Sequence, residues 1–310
     1  MHQKLRDISK KINNMYDSII IGCGAAGMTA ALNILRNGKT VLILEKESIG
    51  GQIATSPKVE NYPSIKAISG LDFSTQLFDQ ISDLGAEFEF EEVTELEKED
   101  DIFKVTTNYN TYEAKTVVIA CGAEHNIIKA KGTDKKGVSY CALCDGAFYK
   151  GEEVSVIGDA NTALQYALLL AGICPKVNLC MLFDHYFGDQ YLVDKVEKKE
   201  NIKVYKELLL ESVNGGDEME SLTFKNTKTG EEIVINSKAV FVAIGQTPKT
   251  DIYSHLVDRN KQYIITNEAM ETKTDGLYAI GDCRNKEVRQ LTTATSDGAI
   301  CAVGINKYLS

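Results

Sequence analysis

The chain has 310 residues, of which 44% are hydrophobic, and its formal net charge at pH 7 is −10. This acidic balance argues against a nucleic-acid-binding protein. Because the sequence contains no run of 18 or more apolar residues, we expect no membrane-spanning helix. The length favours about two domains of ~100–200 residues each.

The first 15 residues, MHQKLRDISKKINNM, are polar and lack the apolar core of a secretory signal. We expect an N-terminal extension here, and translation could begin at Met1 or at Met15. Of the eight cysteines, only Cys141 and Cys144 lie close together. Scattered free thiols are typical of the reducing cytoplasm rather than of a disulfide-stapled secreted domain, so we expect a cytoplasmic protein.

The first recognisable unit is a strand, a helix and a second strand. Ser18 to Ile21 is a short apolar run, followed by a glycine-rich turn. Ala25 to Asn37 is rich in good helix formers and is followed by Gly38, a typical helix stop. Thr40 to Leu44 is the second apolar run. This order predicts a unit of the doubly wound α/β kind.

A second unit of the same form follows, with a strand at Val154 to Ile157, a helix at Thr162 to Ala171 and a strand at Val177 to Leu182. A further strand, LYAIGDC at 277–283, and a helical stretch from Thr292 to Lys307 close the chain. We therefore predict two doubly wound dinucleotide-binding-type domains, the second inserted in the first. Residues 1–123 and 248–310 form one domain, and residues 124–247 form the inserted one.

The glycine-rich turn Gly22-Cys23-Gly24-Ala25-Ala26-Gly27 fits the G-x-G-x-x-G pattern, and Glu45 ends the next strand. Such glycines allow backbone N–H groups at a helix N-terminus to approach a pyrophosphate, and the acidic residue can accept hydrogen bonds from a ribose. The alternative is a glycine turn without a ligand. The strand before the motif and the helix after it favour the dinucleotide site.

The chain resembles the low-molecular-weight thioredoxin reductase family from about Tyr16 to Tyr308. Besides the glycine motif, the matching stretches are Gly50-Gly51-Gln52, Glu60-Asn61-Tyr62-Pro63, CALCDGAFY at 141–149, VFVAIGQTPKT at 240–250 and GDCRNKEVRQLTTA at 281–294. The resemblance implies a fold like that of the class II pyridine nucleotide-disulfide oxidoreductases, a homodimer, and FAD bound by the first unit. The further cofactor contacts that it implies are Gly51, Gln52, Asn61, Gly281, Asp282, Arg289 and Gln290. Taken alone, Asp282 could instead cap a helix.

The motif Cys141-Ala142-Leu143-Cys144-Asp145 places two cysteines three residues apart, close enough for one disulfide on a single helical turn. A helix N-terminus stabilises a thiolate there. Structural zinc and an inert buried pair are the alternatives, although no second CxxC lies nearby. By resemblance, Cys144 faces the flavin, Cys141 attacks the disulfide of thioredoxin, and Asp145 transfers the proton. Asp145 could also be only a helix N-terminal carboxylate.

The second glycine motif departs from the family pattern. It reads Gly158-Asp159-Ala160-Asn161-Thr162-Ala163, which places a carboxylate and a methyl group where a pyrophosphate must approach. The family's basic run for the NADPH 2′-phosphate is replaced by Met181, Leu182 and Phe183, with Phe187 at a later arginine position. The chain's five arginines all lie outside the inserted domain. Since each charge-assisted hydrogen bond contributes ~1.5–3 kcal/mol, the loss of two or three predicts poor NADPH binding. Met181 also stands where NADH would require an acidic residue.

A flavin–dithiol core with this altered site is similar to the ferredoxin-dependent flavin thioredoxin reductases. We therefore expect electrons to pass from ferredoxin, or flavodoxin in its place, through FAD and the dithiol to thioredoxin. The alternatives are NAD(P)H use through the altered site, a second flavin in the inserted domain, and a non-catalytic FAD redox sensor. The lysines at 129, 131, 135 and 136 could face an acidic donor or simply be solvated. Phe183, Tyr186 and Phe187 could pack in the core or fill the vacated nucleotide pocket, and we expect core packing.

Overall fold

The structure is a computed structural model that describes residues 15–310. The chain divides into two compact units. The first unit comprises Met1–Glu124 and Thr247–Ser310, and the second comprises His125–Gln246.

The first unit opens with strand β1 (Tyr16–Ile21), helix α1 (Ala25–Leu35) and strand β2 (Val41–Glu45). The predicted order of elements is confirmed. The helix ends two residues before the predicted Asn37, because the chain leaves it through a turn that closes at Gly38, where φ is +72°. β1 and β2 pair in parallel and are almost wholly buried, as expected for a strand covered on both faces.

The remainder of this segment adds one helix and five strands. They are α2 (Gly70–Asp83), β3 (Glu87–Phe90), β4 (Val93–Glu99), β5 (Ile102–Thr107), β6 (Thr111–Ile119) and β7 (Glu124–His125). β1 lies between β2 and β6, and the sheet order is β3-β2-β1-β6-β5-β4. β6 pairs in parallel with β1, whereas β5 pairs with it antiparallel. The carboxyl ends of β1 and β6 therefore meet at the same edge of the sheet.

The second unit repeats the doubly wound pattern. Its elements are β8 (Val138–Ser139), α3 (Ala142–Asp145), β9 (Glu153–Ile157), α4 (Asn161–Leu170), β10 (Lys176–Cys180), α5 (Gln190–Glu197), β11 (Ile202–Tyr205), β12 (Leu208–Gly215), β13 (Met219–Asn226), β14 (Glu232–Asn236) and β15 (Ala239–Val242). A parallel sheet has the order β11-β10-β9-β15-β8, and β12, β13 and β14 form an antiparallel sheet beside it. The α/β class with two doubly wound domains is confirmed.

The chain returns to the first unit through four short strands and one long helix. They are β16 (Gln246–Thr247), β17 (Arg259–Asn260), β18 (Tyr263–Ile264), β19 (Leu277–Ala279) and α6 (Leu291–Tyr308). β19 joins the main sheet beside β6, β17 pairs with β18, and β16 pairs with β7. α6 packs closely on α1, since a Cβ added at Gly298 would lie 2.5 Å from the carbonyl oxygen of Ala26. This close approach brings the chain after β19 to the N-terminal end of α1.

Within residues 15–310, no helix is both long and apolar enough to cross a membrane.

Candidate functional site

The turn after β1 is shaped by three glycines with different surroundings. A Cβ at Gly22, where φ is +112°, would lie 2.4 Å from the carbonyl oxygen of Ala120, and one at Gly27 would lie 2.1 Å from that of Gly22. Around Gly24, in contrast, the nearest atom to such a Cβ is the oxygen of Gly50 at 3.9 Å. Gly22 and Gly27 are therefore required by packing, whereas Gly24 leaves open space at the start of α1.

The N-terminus of α1 is suited to an anion. No side chain in the described part of the chain caps it, and the residues after Gly24 are the small Ala25 and Ala26. Unpaired N–H groups and the helix dipole favour a phosphate at such a terminus. The open space at Gly24 allows a phosphate to approach the backbone, so the turn fits the pyrophosphate of a dinucleotide.

Glu45 holds the loop around this cradle. Its Oε2 accepts a hydrogen bond from the backbone N–H of Cys23 at 2.8 Å, and its Oε1 accepts one from Glu47 at 2.9 Å. The residue is 9% exposed and lines a cavity of about 430 Å³. Other residues lining this cavity are Ile21, Gly22, Leu44, Glu91, Val93, Cys121, Lys249 and Tyr253. A cavity of this size with a carboxylate at its wall suits a nucleoside.

Three other residues predicted to contact the cofactor each lie next to a residue distant in sequence. Gly51 begins a 3-10 helix, Gly51–Thr55, and a Cβ at this residue would lie 3.5 Å from Cα of Gly24. Asn61 donates through Nδ2 to Oε1 of Gln290 at 3.2 Å. Gln52 donates a hydrogen bond to the carbonyl oxygen of Ala123. Residues far apart in sequence are thus brought to the cradle or to the start of α6.

Asp282 lies in a 3-10 turn, Gly281–Cys283, directly after β19. Its Oδ1 is shielded from solvent and accepts no hydrogen bond from any residue that the structure describes. Burial raises the pKa of its carboxyl, although Lys286 and Arg289 oppose this shift. The interpretation of Asp282 as a helix cap is wrong, because Gln290 caps α6. A buried acceptor without a donor fits a ligand hydroxyl at this position.

A buried charge cluster behind Asp282 is missed by the sequence reasoning. Asp297, which is 5% exposed, accepts hydrogen bonds at 2.9 Å from Gly281 N, Arg284 and Lys286. Nζ of Lys286 also lies 4.0 Å from Oδ1 of Asp282. The cluster therefore fixes the turn that carries Asp282. The available signal was a single carboxylate, Asp297, within the small and apolar residues of α6.

Arg289 is held on both sides. Its guanidinium lies over the ring of Tyr263, 4.1 Å from the centroid, and its Nε donates to the carbonyl oxygen of Asp282 at 3.4 Å. The structure therefore places the predicted residues Asp282, Arg289 and Gln290 on one connected segment between β19 and α6.

In the second unit, Cys141 and Cys144 form a disulfide with Cα atoms 5.3 Å apart. Cys141 is the N-cap of the single-turn helix α3, and its sulfur accepts a hydrogen bond from the backbone N–H of Cys144 at 3.2 Å. Cys144 is exposed and Cys141 is half-buried, so the pair is not an inert buried one. No group of three or more His, Cys, Asp or Glu side chains able to hold a metal occurs among residues 15–310. The other six cysteines, all within those residues, are free.

Asp145 accepts a short hydrogen bond from Ser139. The sequence alone does not identify Ser139 as a site residue. Ser139 Oγ donates to Oδ2 of Asp145 at 2.6 Å and accepts a hydrogen bond from the backbone N–H of Cys141 at 3.1 Å. Asp145 N in turn donates to the carbonyl oxygen of Cys141 at 3.1 Å. The carboxylate, the serine and the dithiol therefore form one hydrogen-bonded unit at the end of β8. Asp145 also lies in the first turn of α3, so its structural role as a helix N-terminal carboxylate remains compatible with this geometry.

The turn after β9 keeps the shape of a dinucleotide cradle but not its chemistry. Gly158 has φ of +146°, and a Cβ there would lie 2.3 Å from the carbonyl oxygen of Ala243. Ala160 is the N-cap of α4, and burial raises the pKa of the neighbouring Asp159. Asp189 forms two hydrogen bonds with Asn161, the first residue of α4. Nδ2 of Asn161 donates to the Asp189 carboxylate at 3.1 Å, and the backbone N–H of Asp189 donates to Oδ1 of Asn161 at 2.7 Å. Two carboxylates therefore lie near a terminus that would otherwise attract a phosphate.

Aromatic rings occupy two of the four positions beyond β10 that are basic in the family pattern. Phe183 and Phe187 contact each other with centroids 5.3 Å apart, and His185 lies 4.6 Å from Phe187. The expectation of core packing is wrong for Phe183 and Phe187, which are 46% and 58% exposed. They follow the end of β10 in a loop that reaches the turn, where Phe187 N donates to the oxygen of Asp159 at 2.7 Å. Only Tyr186 packs partly against the core of the unit.

Comparisons with known proteins agree with this architecture. A family model described as pyridine nucleotide-disulphide oxidoreductase matches residues 16–298. A thioredoxin reductase of Bacillus subtilis is 36% identical over 304 residues, which cover 95% of this chain and 95% of that protein. A Clostridium pasteurianum protein named "34.2 kDa protein in rubredoxin operon" is 34% identical, with 96% and 99% covered. The crystal structure of Lactococcus lactis thioredoxin reductase matches with a TM-score of 0.92 at 34% identity, covering 95% of this chain and 99% of that one. This chain therefore belongs to the pyridine nucleotide-disulphide oxidoreductase family.

Proposed function

We propose that this protein is a flavoprotein disulfide reductase that binds FAD in its first unit and reduces thioredoxin through Cys141 and Cys144. We further propose that reduced ferredoxin, or flavodoxin, supplies the electrons in place of NADPH. The observation that carries the choice of donor is the chemistry of the turn after β9. Ala160 stands in place of a glycine, the carboxylates of Asp159 and Asp189 lie near the start of α4, and aromatic rings stand at positions of cations.

The residues of the first unit fit FAD. The start of α1 would hold the pyrophosphate, and Glu45 would accept hydrogen bonds from the adenosine ribose within the cavity. The unpartnered Oδ1 of Asp282 would accept a hydrogen bond from a ribityl hydroxyl. When bound, FAD supplies the electron pair that reduces the Cys141–Cys144 disulfide.

The dithiol and its neighbours carry out the exchange with the partner. Once reduced, Cys141 attacks one sulfur of the partner disulfide and forms a mixed disulfide, and the other partner sulfur leaves as a thiolate. Asp145 supplies the proton that this thiolate takes up. Cys144 then attacks Cys141, which restores the intramolecular disulfide and releases the reduced partner. The hydrogen bond from Ser139 keeps the Asp145 carboxylate beside α3 during these steps.

An exposed aromatic ring close in sequence to the dithiol supports the proposal that the substrate is a protein. Phe148, four residues after Cys144, is 81% exposed, and Leu143 between the two cysteines is 40% exposed. Large apolar side chains at such exposure are typical of interaction sites when they adjoin a reactive group. Thioredoxin is also the substrate named for the relatives in the comparisons. By the same resemblance, we propose a homodimer.

The second unit supports an electron carrier other than NADPH. A 2′-phosphate requires cations, and the positions where the family has them hold only uncharged side chains in this chain, namely Met181, Leu182, Phe183 and Phe187. Met181 is buried and the other three are exposed. Since each lost charge-assisted hydrogen bond costs ~1.5–3 kcal/mol, two or three losses weaken binding on the order of a thousandfold. A one-electron protein donor needs no cradle of this kind, because it reaches the flavin without binding as a dinucleotide.

The test is anaerobic reduction of the bound flavin with each donor in turn, followed by its absorbance. We expect photoreduced ferredoxin to bleach the flavin rapidly. NADPH or NADH at about 100 μM, a concentration within the usual range of enzyme KM values, should not bleach it. Rapid bleaching by NADPH would overturn the choice of donor. A matched control is the double variant Asp159→Gly with Ala160→Gly, which restores the glycine at 160 and removes the carboxylate at 159 but does not restore the cations, so it should still not respond to NADPH.

A second candidate is reduction by NAD(P)H through the altered site. It is favoured by the conformation of Gly158 and by the start of α4, which no described side chain caps. Flavin bleaching by NADH, together with a micromolar Kd for NADH, would support this second candidate. A second flavin in the inserted domain and a non-catalytic redox sensor are the remaining alternatives, and two FAD per chain would support the former. An unchanged rate of thioredoxin reduction in Cys141→Ser would show that electrons take a route other than the dithiol.

A further inference from the structure

We infer that Cys121 and Cys283 form a second redox-active thiol pair, which oxidises to a disulfide when the cavity of the first unit is empty. The inference rests on the proposed function in one respect, namely that FAD is the occupant of that cavity. The pair lies in the first unit and is distinct from the Cys141–Cys144 dithiol of the second.

The fold places the two sulfurs together. β19 runs parallel to β6 with Ala279 opposite Ile119, so the turns that follow these strands lie side by side. The thiol of Cys283 contacts the carbonyl oxygen of Ile119 at 3.4 Å, and it also meets the thiol of Cys121 and the backbone N–H of Gly122. The sulfur of Cys283 is therefore enclosed by the turn that carries Cys121.

The two cysteines differ in access. Cys121 is half-buried and lines the cavity beside Gly22 and Glu45, whereas Cys283 has no exposed surface. The buried ring of Tyr253, which also lines the cavity, packs with both in one cluster. A small oxidant entering the cavity would meet Cys121 first, with Cys283 held behind it as the second thiol.

Cys23 is the remaining cysteine near the same loop, and it is not equivalent. Its side chain is fully buried, and burial with the nearby Glu45 carboxylate raises the pKa of its thiol to about 12. It does not line the cavity. Cys121 is the accessible member of the group, and nucleophilic attack requires a thiolate that the oxidant can reach.

The proposed oxidant is a small hydroperoxide. Cys121 loses its proton, and the thiolate attacks one oxygen of H₂O₂. The O–O bond breaks, a sulfenic acid forms, and the leaving hydroxide takes up the proton that Cys121 lost and departs as water. The sulfur of Cys283 then attacks the sulfenic sulfur. The S–S bond forms, the S–O bond breaks, and the leaving hydroxide takes the Cys283 proton as a second water. Two thiols lose two electrons, and one peroxide gains them.

The bond would link the turn after β6 to the turn that carries Asp282. Both turns border the place where FAD would bind, since Cys121 lines the cavity and Asp282 precedes Cys283 directly. The disulfide would therefore hold the two turns in a fixed spacing and hinder loading of FAD. Bound FAD would cover Cys121 and protect the pair.

The test maps thiols in the full chain, once with its flavin and once after the flavin has been removed. Each sample is treated with H₂O₂, alkylated without reduction and digested, and the 121–283 linked peptide is quantified by mass spectrometry. With FAD at 100 times its Kd, about 1% of the chain is unliganded, so linkage should slow about 100-fold. The oxidised, flavin-free chain should rebind FAD less well, and dithiothreitol should restore binding.

Two variants distinguish formation of the 121–283 disulfide from general oxidative damage by peroxide. Cys121→Ser should abolish the linked peptide, and its affinity for FAD should be the same before and after peroxide. Cys180→Ser, which changes a fully buried cysteine of the second unit, should behave as the wild type. No 121–283 peptide in the flavin-free chain would overturn the inference, and so would equal linkage rates with and without bound flavin. Flavin occupancy is read from absorbance, so a chain that binds no FAD would refute the proposed function and leave the linked peptide as a separate observation of the thiol pair.

Discussion

Ser139 Oγ donates a 2.6 Å hydrogen bond to the carboxylate of Asp145, the last residue of helix α3. Ser139 ends strand β8, and its hydroxyl also accepts the N–H of Cys141. The parallel sheet thereby fixes the carboxylate relative to the disulfide, because β8 pairs with β15. This arrangement places a proton carrier beside the sulfurs on a rigid element rather than on a mobile loop.

Asp145→Asn should lower the rate of thioredoxin reduction about 100-fold or more, since a positioned acid or base typically contributes 10²–10⁴-fold. The reason is the loss of the proton for the leaving partner thiolate. Flavin reduction by the donor should be unchanged. Steady-state and stopped-flow rates measure the two steps separately. Asp134→Asn, an exposed carboxylate of the same unit, is the control. Equal losses in both steps would show that Asp145 only supports the fold.

Ser139→Ala should reduce thioredoxin turnover about tenfold, because a hydrogen bond to a charged group contributes ~1.5–3 kcal/mol. The matched control is Ser155→Ala in strand β9 of the same sheet. Its hydroxyl is buried and has no hydrogen-bond partner among the described residues, so its removal should not lower turnover. The positioning role is contradicted if both variants lose activity equally.

Asp282→Asn should stabilise the FAD-free chain at neutral pH and weaken FAD binding. Because burial raises the pKa of Asp282, the folded FAD-free chain binds this proton more tightly than the unfolded chain. The stability that Asp282 contributes is therefore present below the ordinary pKa of 3.8 and is lost as pH rises through the raised value. Asn remains neutral, so its advantage should shrink towards acidic pH.

Urea unfolding of the FAD-free chain at several pH values measures this effect, and FAD titration measures the affinity. Asp79→Asn, an exposed carboxylate on α2, should change neither quantity. A variant at Asp282 that binds FAD as tightly as the wild type would remove this residue from the cofactor site.

Asp297→Asn should destabilise the FAD-free chain by ~3–5 kcal/mol, because it leaves the buried cations Arg284 and Lys286 without their shared carboxylate. Denaturant unfolding followed by circular dichroism measures the change. Asp251→Asn breaks an ion pair with Arg259 in which the carboxylate is 67% exposed, and it should cost at most ~1 kcal/mol. Similar effects for the two variants would mean that the buried cluster does not stabilise the turn.

Phe148→Ser should raise KM for thioredoxin about tenfold or more, since an interface anchor typically contributes ~2 kcal/mol. Reduction of a small disulfide reagent should be unaffected, because it needs no apolar docking surface. Tyr109→Ser in the first unit removes a ring of similar exposure, 75%, far from the dithiol in sequence, and serves as the control. An unchanged KM in Phe148→Ser would place the partner elsewhere.

Local signals in the sequence predicted the strands, helices and turns well. The run of β-branched residues at β1, the small residues of α1 and the spacing of Cys141 and Cys144 each specify a local conformation, and all three are confirmed. Helix ends were less accurate, because the final turn depends on capping geometry. The prediction that Phe183 and Phe187 are buried failed because hydrophobicity alone does not tell a core ring from an exposed one.

The sequence alone determined the two doubly wound units, the glycine cradle at Gly22–Gly27 and the dithiol, since each depends on residues adjacent in the chain. Only the tertiary structure brought Ser139 to Asp145, Asp297 to Lys286 and Cys283 to Cys121. Ser139 and Asp145, like Lys286 and Asp297, meet where a short turn joins two successive elements. Cys121 and Cys283 meet because parallel strands distant in sequence end at one edge of a sheet. Their turns become neighbours there, and polar groups that would be unremarkable in water become paired or reactive once they are buried together.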